Sequence, residues 1–281
     1  MRSEAIHPFV AEVDSRSRRL RTPFDGGEMM WRLWGSGPVI MLLHGGHGSW
    51  THWIRNVAEL AKDYTVLVPD MPGYGESDAP AEPYTPMSLA ASIAHGLDAV
   101  LGPATALSII GFSFGATVGG YLASLRRDSI RQLVLVGAGG LALPSPEREQ
   151  LRNWRLAKSD GAREAAHRSN LAALMIADPA RIDDLAVYVQ NENTRRTRIN
   201  SRQFGPQNLL AKVLTSLQIP LAGIWGSRDA TALGYISARE AFLRELDPAA
   251  PFVQVEGAGH WVQYEDPIAF NQALAGALAR N

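Results

Sequence analysis

The sequence of 281 residues contains no cysteine, which excludes disulfide bonds, thiolate nucleophiles and metal sites built on cysteine. No apolar run approaches the roughly 18 residues that a membrane-spanning helix requires. The first residues lack the apolar core of a signal peptide. We therefore expect a cytoplasmic protein that has no membrane partner.

Charge of either sign is not in excess, since 27 Lys and Arg residues face 28 Asp and Glu residues, for a net charge of −1. A chain with this balance has no overall field that would attract nucleic acid or anionic lipid. No nucleic-acid-binding motif is visible either. The partner that we expect is therefore a small-molecule substrate, and the assembly is left open between a monomer and a homodimer.

Short apolar segments alternate with longer segments of helical periodicity along most of the chain. Predicted strands cover residues 29–34, 38–43, 64–69, 106–111, 130–136, 221–225 and 252–255. Predicted helices cover residues 50–62, 86–101, 116–127, 238–246 and 267–279. Apolar strands separated by helices are typical of an α/β fold whose mostly parallel sheet is covered on both faces. Ligands bind such sheets beyond the carboxyl ends of the strands, so the residues that follow each strand are the candidates for a site.

Residues 141–204 break this alternation, because they contain no convincing strand and are rich in arginine. Helices are predicted near residues 146–158, 163–176 and 182–191. The segment holds 11 Lys and Arg against 8 Asp and Glu, so its net charge is +3, and the remainder (16 against 20) carries −4. Such a length is too great for a simple loop. We predict a helical cap, or lid, inserted into a core formed by residues 1–140 and 205–281.

The pentapeptide GFSFG at residues 111–115 follows a predicted strand and precedes a predicted helix. This context makes G-x-S-x-G typical of a nucleophilic serine. Gly111 and Gly115 remove side chains that would clash around a strained serine, and the helix start leaves amide groups free beneath it. We predict that Ser113 is a nucleophile; the alternative is a serine that merely caps the helix.

A second glycine-rich turn, HGGHG at residues 44–48, follows the predicted strand 38–43. Its exposed amides predict an oxyanion hole formed by the N–H groups of Gly46 and Phe114. The alternative is an ordinary loop between a strand and a helix. We expect a structural role for His44, at the end of the strand. Neighbouring histidines lack an accompanying H-E-x-x-H motif, so we expect no metal.

Two further strand ends carry one ionisable residue each, Asp229 in WGSRD and His260 in GAGHW. The chain order Ser113, Asp229, His260 is that of the α/β-hydrolase superfamily, which the sequence resembles from about residue 29 onward. The resemblance implies an eight-stranded, mostly parallel sheet flanked by helices, with an inserted helical cap. It also implies a catalytic Ser-His-Asp triad without a cofactor.

Residues 70–77, DMPGYGES, are similar to the D-x-P-G-x-G-x-S turn of this superfamily. Asp70 follows a different strand from the superfamily's catalytic acid, so we expect it to stabilise the turn. Ser113 at the nucleophile position excludes the branches that place aspartate there, namely haloalkane dehalogenases and epoxide hydrolases.

Within the superfamily, residues 259–265 (GHWVQYE) resemble the G-H-W-x-Q-x-E segment of meta-cleavage-product hydrolases, which cut carbon–carbon bonds. However, His52 stands where their W-x-N-x-x-R-N motif has asparagine. A carboxylesterase acting on small hydrophobic esters needs only the triad, the oxyanion hole and an apolar pocket, and it is our prediction. The carbon–carbon hydrolase, other acyl-transfer chemistry and a non-catalytic ligand receptor are the alternatives.

Aromatic residues near the predicted site are candidates for the wall of a substrate pocket. We predict that Phe112, Trp50 and Trp261 bind substrate; the alternative for such residues is core packing. A run of arginines late in the predicted cap, from Arg195 to Arg202, either meets an anionic substrate or forms a solvated, salt-bridged surface.

Overall fold

The computed structural model describes residues 6–103, 105–147 and 149–279. Its strands are β1 (Arg18–Phe24), β2 (Gly27–Trp34), β3 (Val39–Leu43), β4 (Thr65–Pro69), β5 (Leu107–Phe112), β6 (Ile130–Val136), β7 (Leu221–Gly226) and β8 (Phe252–Val255). Its helices are α1 (Pro8–Ser15), α2 (Val57–Leu60), α3 (Pro86–Leu101), α4 (Phe114–Leu125), α5 (Asp160–Asn170), α6 (Asp184–Arg196), α7 (Leu209–Leu214), α8 (Ile236–Leu246), α9 (Val262–Glu265) and α10 (Pro267–Leu278).

The strands form one sheet in the order β1-β2-β4-β3-β5-β6-β7-β8. Strand β2 is antiparallel to both β1 and β4, and the other neighbours are parallel. The predicted eight-stranded, mostly parallel sheet is therefore confirmed. The carboxyl ends of β3, β5, β6, β7 and β8 meet at one edge, which is where a ligand site is expected.

Side chains alternate along the strands between two apolar clusters, one on each face of the sheet. In β3, Ile40 and Leu42 belong to the first cluster, whereas Met41 and Leu43 belong to the second. Helices α1, α2 and α10 contribute to the first cluster, and α3, α4, α7 and α8 contribute to the second. Both faces are thus covered, as the uninterrupted apolar strands predict.

Two predicted helices are wrong. The segment predicted as a helix at residues 50–62 contains a 3₁₀ turn (Trp50–Trp53) followed by the one-turn helix α2. The segment predicted at residues 146–158 has, in its described part, only the 3₁₀ turn Trp154–Leu156. In the first segment the apolar spacing resembled that of a helix, but Trp50 and Trp53 are buried residues of a 3₁₀ turn and do not share one face of a long helix.

Four elements were not predicted at all: helix α1, the edge strand β1 and the short helices α7 and α9. The sequence of β1, RRLRTPF, is mostly polar because an antiparallel edge strand is exposed along much of its length. Between β6 and β7 the described chain contains α5, a π-helical turn (Leu171–Met175), α6 and α7, and no strand. Among the described residues, no helix is both long and apolar enough to cross a bilayer.

A buried ion cluster surrounds Arg32 of β2, whose side chain is only 1% exposed. Its Nε donates to Asp14 Oδ1 at 2.6 Å, its Nη1 donates to Asp70 Oδ2 at 3.2 Å, and its Nη2 pairs with Glu76. Burial opposes the charge, but Asp70, Asp14 and Glu76 outweigh it and raise the pKa of Arg32. Asp70 also accepts the N–H groups of Trp50 and Glu76. It therefore holds its turn together, as expected.

We predict that Arg32→Ala lowers the free energy of unfolding by about 3–5 kcal/mol, because it leaves the buried Asp70 carboxylate without its cation. Urea denaturation monitored by tryptophan fluorescence measures the change. Arg21→Ala on β1 is the matched control, since its 3.7 Å pair with Glu28 is exposed and is expected to contribute less than about 1 kcal/mol. Equal losses in the two variants would contradict the prediction.

Candidate active site

Ser113 occupies a strained turn between β5 and α4, with φ 51° and ψ −113°. Its N–H donates to the carbonyl of Val136 on β6 at 2.8 Å. A Cβ on Gly111 would lie 2.5 Å from Ala116 Cα, and one on Gly115 would lie 2.4 Å from the carbonyl oxygen of Leu43. Neither position has room for a side chain, which confirms the predicted need for glycine on both sides of the serine.

The structure brings Ser113, His260 and Asp229 together in one hydrogen-bonded line. His260 Nε2 lies 3.1 Å from Ser113 Oγ, and His260 Nδ1 lies 2.9 Å and 3.0 Å from the two oxygens of Asp229. With Nδ1 donating to the carboxylate, Nε2 is free to accept the hydroxyl proton of Ser113. These three residues, from the ends of β5, β7 and β8, have the geometry of a nucleophile, a base and an orienting acid.

Asp229 is fully buried, and Thr231 holds it in place. The N–H and Oγ1 of Thr231 both donate to Asp229 Oδ1 at 2.8 Å. Burial alone would raise the pKa of Asp229, but the His260 imidazole and the Thr231 hydrogen bonds outweigh it and hold the pKa below its ordinary value. The carboxylate is thus kept ionised beside the imidazole. Sequence reasoning did not identify Thr231, although it lies only two residues after Asp229.

Gly137, which directly follows β6, is a second residue that sequence reasoning missed. Its φ is 50°, and a Cβ there would lie 3.1 Å from His260 Nδ1 and 3.2 Å from Asp229 Oδ2. A side chain would therefore crowd the hydrogen bond between imidazole and carboxylate. The available signal was a glycine directly after a predicted strand, on the edge where the other candidates cluster.

Of the two predicted oxyanion-hole residues, Phe114 follows Ser113 at the start of α4, and Gly46 lies close to Phe114, since a Cβ on Gly46 would be 3.8 Å from Phe114 Cβ. Within the described part of the chain, neither N–H has a hydrogen-bond acceptor. A Cβ on Gly46 would lie 2.4 Å from Ser201 Oγ, so a side chain there would displace this hydroxyl. Both amides are available to a ligand, which is the property that an oxyanion hole requires.

Two buried histidines support the turn that contains Gly46. His44 Nε2 accepts the N–H of Met71 at 3.0 Å, and its Nδ1 contacts the carbonyl of Gly45 at 2.8 Å. His52 Nδ1 accepts the N–H of Gly45 at 3.2 Å. Each imidazole must be neutral to accept its backbone N–H. These hydrogen bonds fix the conformation of the turn. The expected structural role of His44 agrees with these contacts. Nowhere in the described chain do three or more His, Asp or Glu residues form a group that could hold a metal ion.

The carboxylate of Glu265 fixes the loop that carries His260. It accepts the N–H of Gly259 at 2.7 Å and the N–H groups of Ala177 and Asp178 at 3.0 Å and 2.8 Å. Glu265 is 2% exposed, so these hydrogen bonds are shielded from water. One side chain thus ties the His260 loop to the chain between α5 and α6. Sequence reasoning recorded this glutamate in a motif but assigned it no role.

A cavity of about 960 Å³ opens over Ser113 and His260. Phe112 and Phe114 line it, and the Phe112 ring lies 5.0 Å from the His260 ring. The structure does not bring Trp50 or Trp261 to its wall, which corrects their prediction as substrate-binding residues. Trp50 packs on Trp34 and the guanidinium of Arg32, and Trp261 stacks on Tyr264 while its Nε1 donates to the carbonyl of His52. Both are core residues.

The cavity wall is also more polar than predicted. Arginine and asparagine side chains from residues 152–208 line it together with the aromatic residues. The arginines late in the predicted cap divide into two groups. Arg195 and Arg196 pair with Glu192 on an exposed surface, and Arg198 donates to backbone carbonyls, whereas Arg202 lines the cavity. Arg195 and Arg196 thus form the salt-bridged surface that was one alternative, and an anion-binding role for Arg202 stays a prediction.

The buried histidines generate a prediction for stability at acid pH. Burial lowers the pKa of His44 to about 4, and it lowers the pKa of His52 well below the ordinary value. In the unfolded chain these groups titrate near the ordinary value of about 6.5. As the pH falls from there towards the folded pKa of about 4 for His44, the unfolded chain binds a proton that the folded chain does not.

We therefore expect the free energy of unfolding to fall with pH in this window, by up to about 1.4 kcal/mol per pH unit for each buried histidine. Urea denaturation at half-unit pH steps measures the slope of the unfolding free energy against pH. His52→Asn should reduce this slope by up to the contribution of one titrating group, about 1.4 kcal/mol per pH unit. His95→Asn, at an exposed position on α3, is the matched control. A slope that is identical in the wild type and His52→Asn would refute the prediction.

Comparisons with known proteins place this geometry in context. A sequence model described as the alpha/beta hydrolase family matches residues 40–273. The chain is 25% identical to a 2-hydroxy-6-oxo-6-(2'-aminophenyl)hexa-2,4-dienoic acid hydrolase from Metapseudomonas resinovorans, over 88% of this chain and 86% of that protein. It is 31% identical to a soluble epoxide hydrolase from Corynebacterium sp. (strain C12), but over only 40% of this chain and 38% of that one.

Among solved structures, the fold is similar to that of a thermophilic esterase from Thermogutta terrifontis. The TM-score is 0.73, and the match covers 94% of this chain and 98% of the esterase at 21% identity. At this identity the likeness concerns the fold alone.

Proposed function

The chain belongs to the alpha/beta hydrolase family, and from this premise we propose that it is a serine hydrolase whose catalytic triad is Ser113, His260 and Asp229. The observation that carries the proposal is the continuous line of contacts from Ser113 Oγ through the imidazole to a buried, ionised carboxylate. A serine hydroxyl is a weak nucleophile on its own, and a hydrogen-bonded base within about 3 Å activates it.

In the proposed mechanism, His260 Nε2 accepts the proton of Ser113 as Oγ attacks the carbonyl carbon of the substrate. Asp229 keeps the imidazole in the tautomer that can accept this proton and stabilises the resulting cation. His260 then donates the proton to the leaving group, and an acyl group remains on Ser113. A water molecule, deprotonated by His260, releases the acid and restores the serine.

The amides of Gly46 and Phe114 form the proposed oxyanion hole. Negative charge develops on the carbonyl oxygen when Ser113 attacks, and amides without another acceptor can bind it without prior rearrangement. His52 supports this arrangement indirectly, because it accepts the N–H of Gly45 and so orients the neighbouring peptide. Loss of one such donor costs about 3–4 kcal/mol of transition-state stabilisation in comparable sites.

Ester hydrolysis is the reaction that we propose, with a small carboxylic ester as substrate. The triad, the oxyanion hole and the cavity supply each part that this reaction needs. Hydrolysis of a carbon–carbon bond is the second candidate, because the Metapseudomonas resinovorans relative is named as a dienoic acid hydrolase and is similar over most of its length. The epoxide-hydrolase relative carries less weight, since its match is partial and serine stands at the nucleophile position here.

We also propose that residues 141–204 act as a cap over the site, with residues 1–140 and 205–281 as the core. In support, residues from this range line the cavity above Ser113, and Glu265 of the core binds the amides of Ala177 and Asp178. In this proposal Glu265 therefore joins the cap to the loop that carries His260.

Labelling with a fluorophosphonate probe tests the nucleophile. We expect the wild type to be labelled at Ser113, and Ser113→Ala to lose labelling and at least about 10³-fold of its activity towards p-nitrophenyl acetate. Ser124→Ala, at a half-buried position near the carboxyl end of the same helix, is the control and should be labelled normally. An unlabelled wild type would instead support a non-catalytic ligand receptor.

Parallel assays on esters and a dienoate separate the two reaction classes. We expect kcat/KM for p-nitrophenyl acetate or butyrate to exceed that for 2-hydroxy-6-oxo-6-phenylhexa-2,4-dienoate by at least about tenfold, because His52 replaces the asparagine of the carbon–carbon hydrolases. Ser113→Ala should abolish both reactions, which controls for background hydrolysis. The reverse order of the two rates would favour the carbon–carbon hydrolase.

A further inference from the structure

The cavity wall carries an unusual balance of charge. It contains four arginines, and none of its described residues is an aspartate or glutamate; the arginines are Arg152, Arg155, Arg202 and Arg239. Among the described residues, none of the four forms an ion pair, although nearby arginines do. Arg168, for example, pairs with Asp184 at 2.6 Å. Arg152, Arg155 and Arg202 are exposed to solvent, and Arg155 also stacks on the Trp154 ring at 4.4 Å, so Arg239 is the buried positive charge of this wall.

Arg239 of α8 is the most constrained of the four, because it is only 5% exposed. Its Nη1 donates to the carbonyls of Pro144 and Tyr235. Its Nε is buried without a partner, and no described residue accepts a hydrogen bond from Nη2. Burial lowers the pKa of Arg239, and the Asp229 carboxylate, which opposes this shift, is already bound to His260. An unpaired buried cation is costly unless a ligand supplies the missing charge.

The guanidinium of Arg239 matches one kind of ligand. Its Nε has no accessible surface, so Nη2, which no described residue binds, is the donor that Arg239 can offer to the cavity. Because Nη1 is held by two backbone carbonyls, the group cannot swing away from the cavity without losing both hydrogen bonds. A charged donor bonds more strongly to a carboxylate than to a neutral acceptor, so Arg239 favours an anionic ligand.

A second observation shows that positive charge acts across the cavity near the oxyanion turn. His47 follows Gly46, and its pKa is lowered to about 4, first by burial and then by the charges of Arg202 and Arg155. These two arginines therefore lie close enough to act on His47, one residue from Gly46. Their effect on an anionic ligand in the same space has the opposite sign and is attractive.

Building on the ester hydrolase proposed above, we propose that its substrates are esters that carry a carboxylate away from the scissile bond, and that Arg239 binds this carboxylate. Arg155 and Arg202 attract the anion into the cavity, and Arg239 fixes its position. The specificity of the site is thus for anionic rather than purely hydrophobic esters.

Two matched pairs of esters test this inference, one pair for each side of the scissile bond. Mono-p-nitrophenyl adipate is compared with p-nitrophenyl hexanoate, and 4-acetoxybenzoate is compared with phenyl acetate, each corrected for its rate in buffer. We expect the anionic member of at least one pair to have a kcat/KM at least about tenfold higher at low salt. Equal rates, or a preference for the neutral ester in both pairs, would overturn the proposal.

Variants on one helix separate binding from a general loss of structure. Arg239→Gln should remove the preference for the preferred anion while it retains turnover of the neutral ester. Arg244→Gln is the matched control, because Arg244 lies on the same helix and pairs with Glu240 at 2.8 Å on the surface. This control should keep the wild-type ratio. An equal loss on both esters in Arg239→Gln would indicate a purely structural role.

A binding measurement keeps the inference separate from the proposed reaction. Calorimetry on the wild-type protein compares adipate with its neutral analogue adipamide, neither of which requires turnover. We expect adipate to bind at least about tenfold more tightly, and its advantage to disappear in Arg239→Gln. If the protein hydrolyses esters but adipate has no advantage, the anion site is refuted alone. If adipate binds but no fluorophosphonate label forms, the proposed hydrolase function fails and the anion site stands.

Discussion

The strained turn at Ser113 is the constraint on which the rest of the site depends. A residue with a Cβ at φ 51° is unfavourable by itself, so the surroundings must hold it there. Strand β5 fixes one side, α4 fixes the other, and the hydrogen bond from Ser113 N–H to Val136 ties the turn to β6. The backbone at Gly111 and Gly115 approaches its neighbours too closely for any side chain. The strain lifts Oγ to the sheet edge and leaves the amide of Phe114 without an acceptor.

Once Oγ is fixed, the other groups must reach it from separate strands, and loops alone would not hold them to within a few tenths of an ångström. The buried carboxylates of Asp229 and Glu265 supply this precision. Asp229 orients the ring of His260, and Glu265 binds the amide of the preceding glycine. Because Glu265 also binds Ala177 and Asp178, the position of His260 is coupled to the chain that covers the cavity. Movement of that segment would therefore change the position of the His260 imidazole.

The sequence predicted seven of the eight strands and the three residues of the hydrogen-bonded line because both follow from local rules. Buried strands can be recognised as short apolar runs, and parallel strands bring their carboxyl ends to one edge of the sheet. The sequence could not predict which way an aromatic ring points, so Trp50 and Trp261 were assigned to a pocket that they do not line. It also gave no sign of Arg239, whose importance comes from its burial without an ion pair to any described residue and with an unpartnered Nε. The surroundings of a side chain arise from three-dimensional packing, and no spacing of residues along the chain indicates them.

Two buried arginines show how packing separates a structural role from a candidate binding role. Arg32 is surrounded by Asp14, Asp70 and Glu76, so its charge is neutralised within the protein and it has no capacity left for a ligand. Arg239 is also buried, yet its hydrogen bonds go to neutral carbonyls, its Nε has no partner, and the opposing charge of Asp229 is bound to His260. Stability would favour replacing such a residue with an apolar one. Its presence on the wall of a cavity is therefore better explained by what enters the cavity than by what holds the fold.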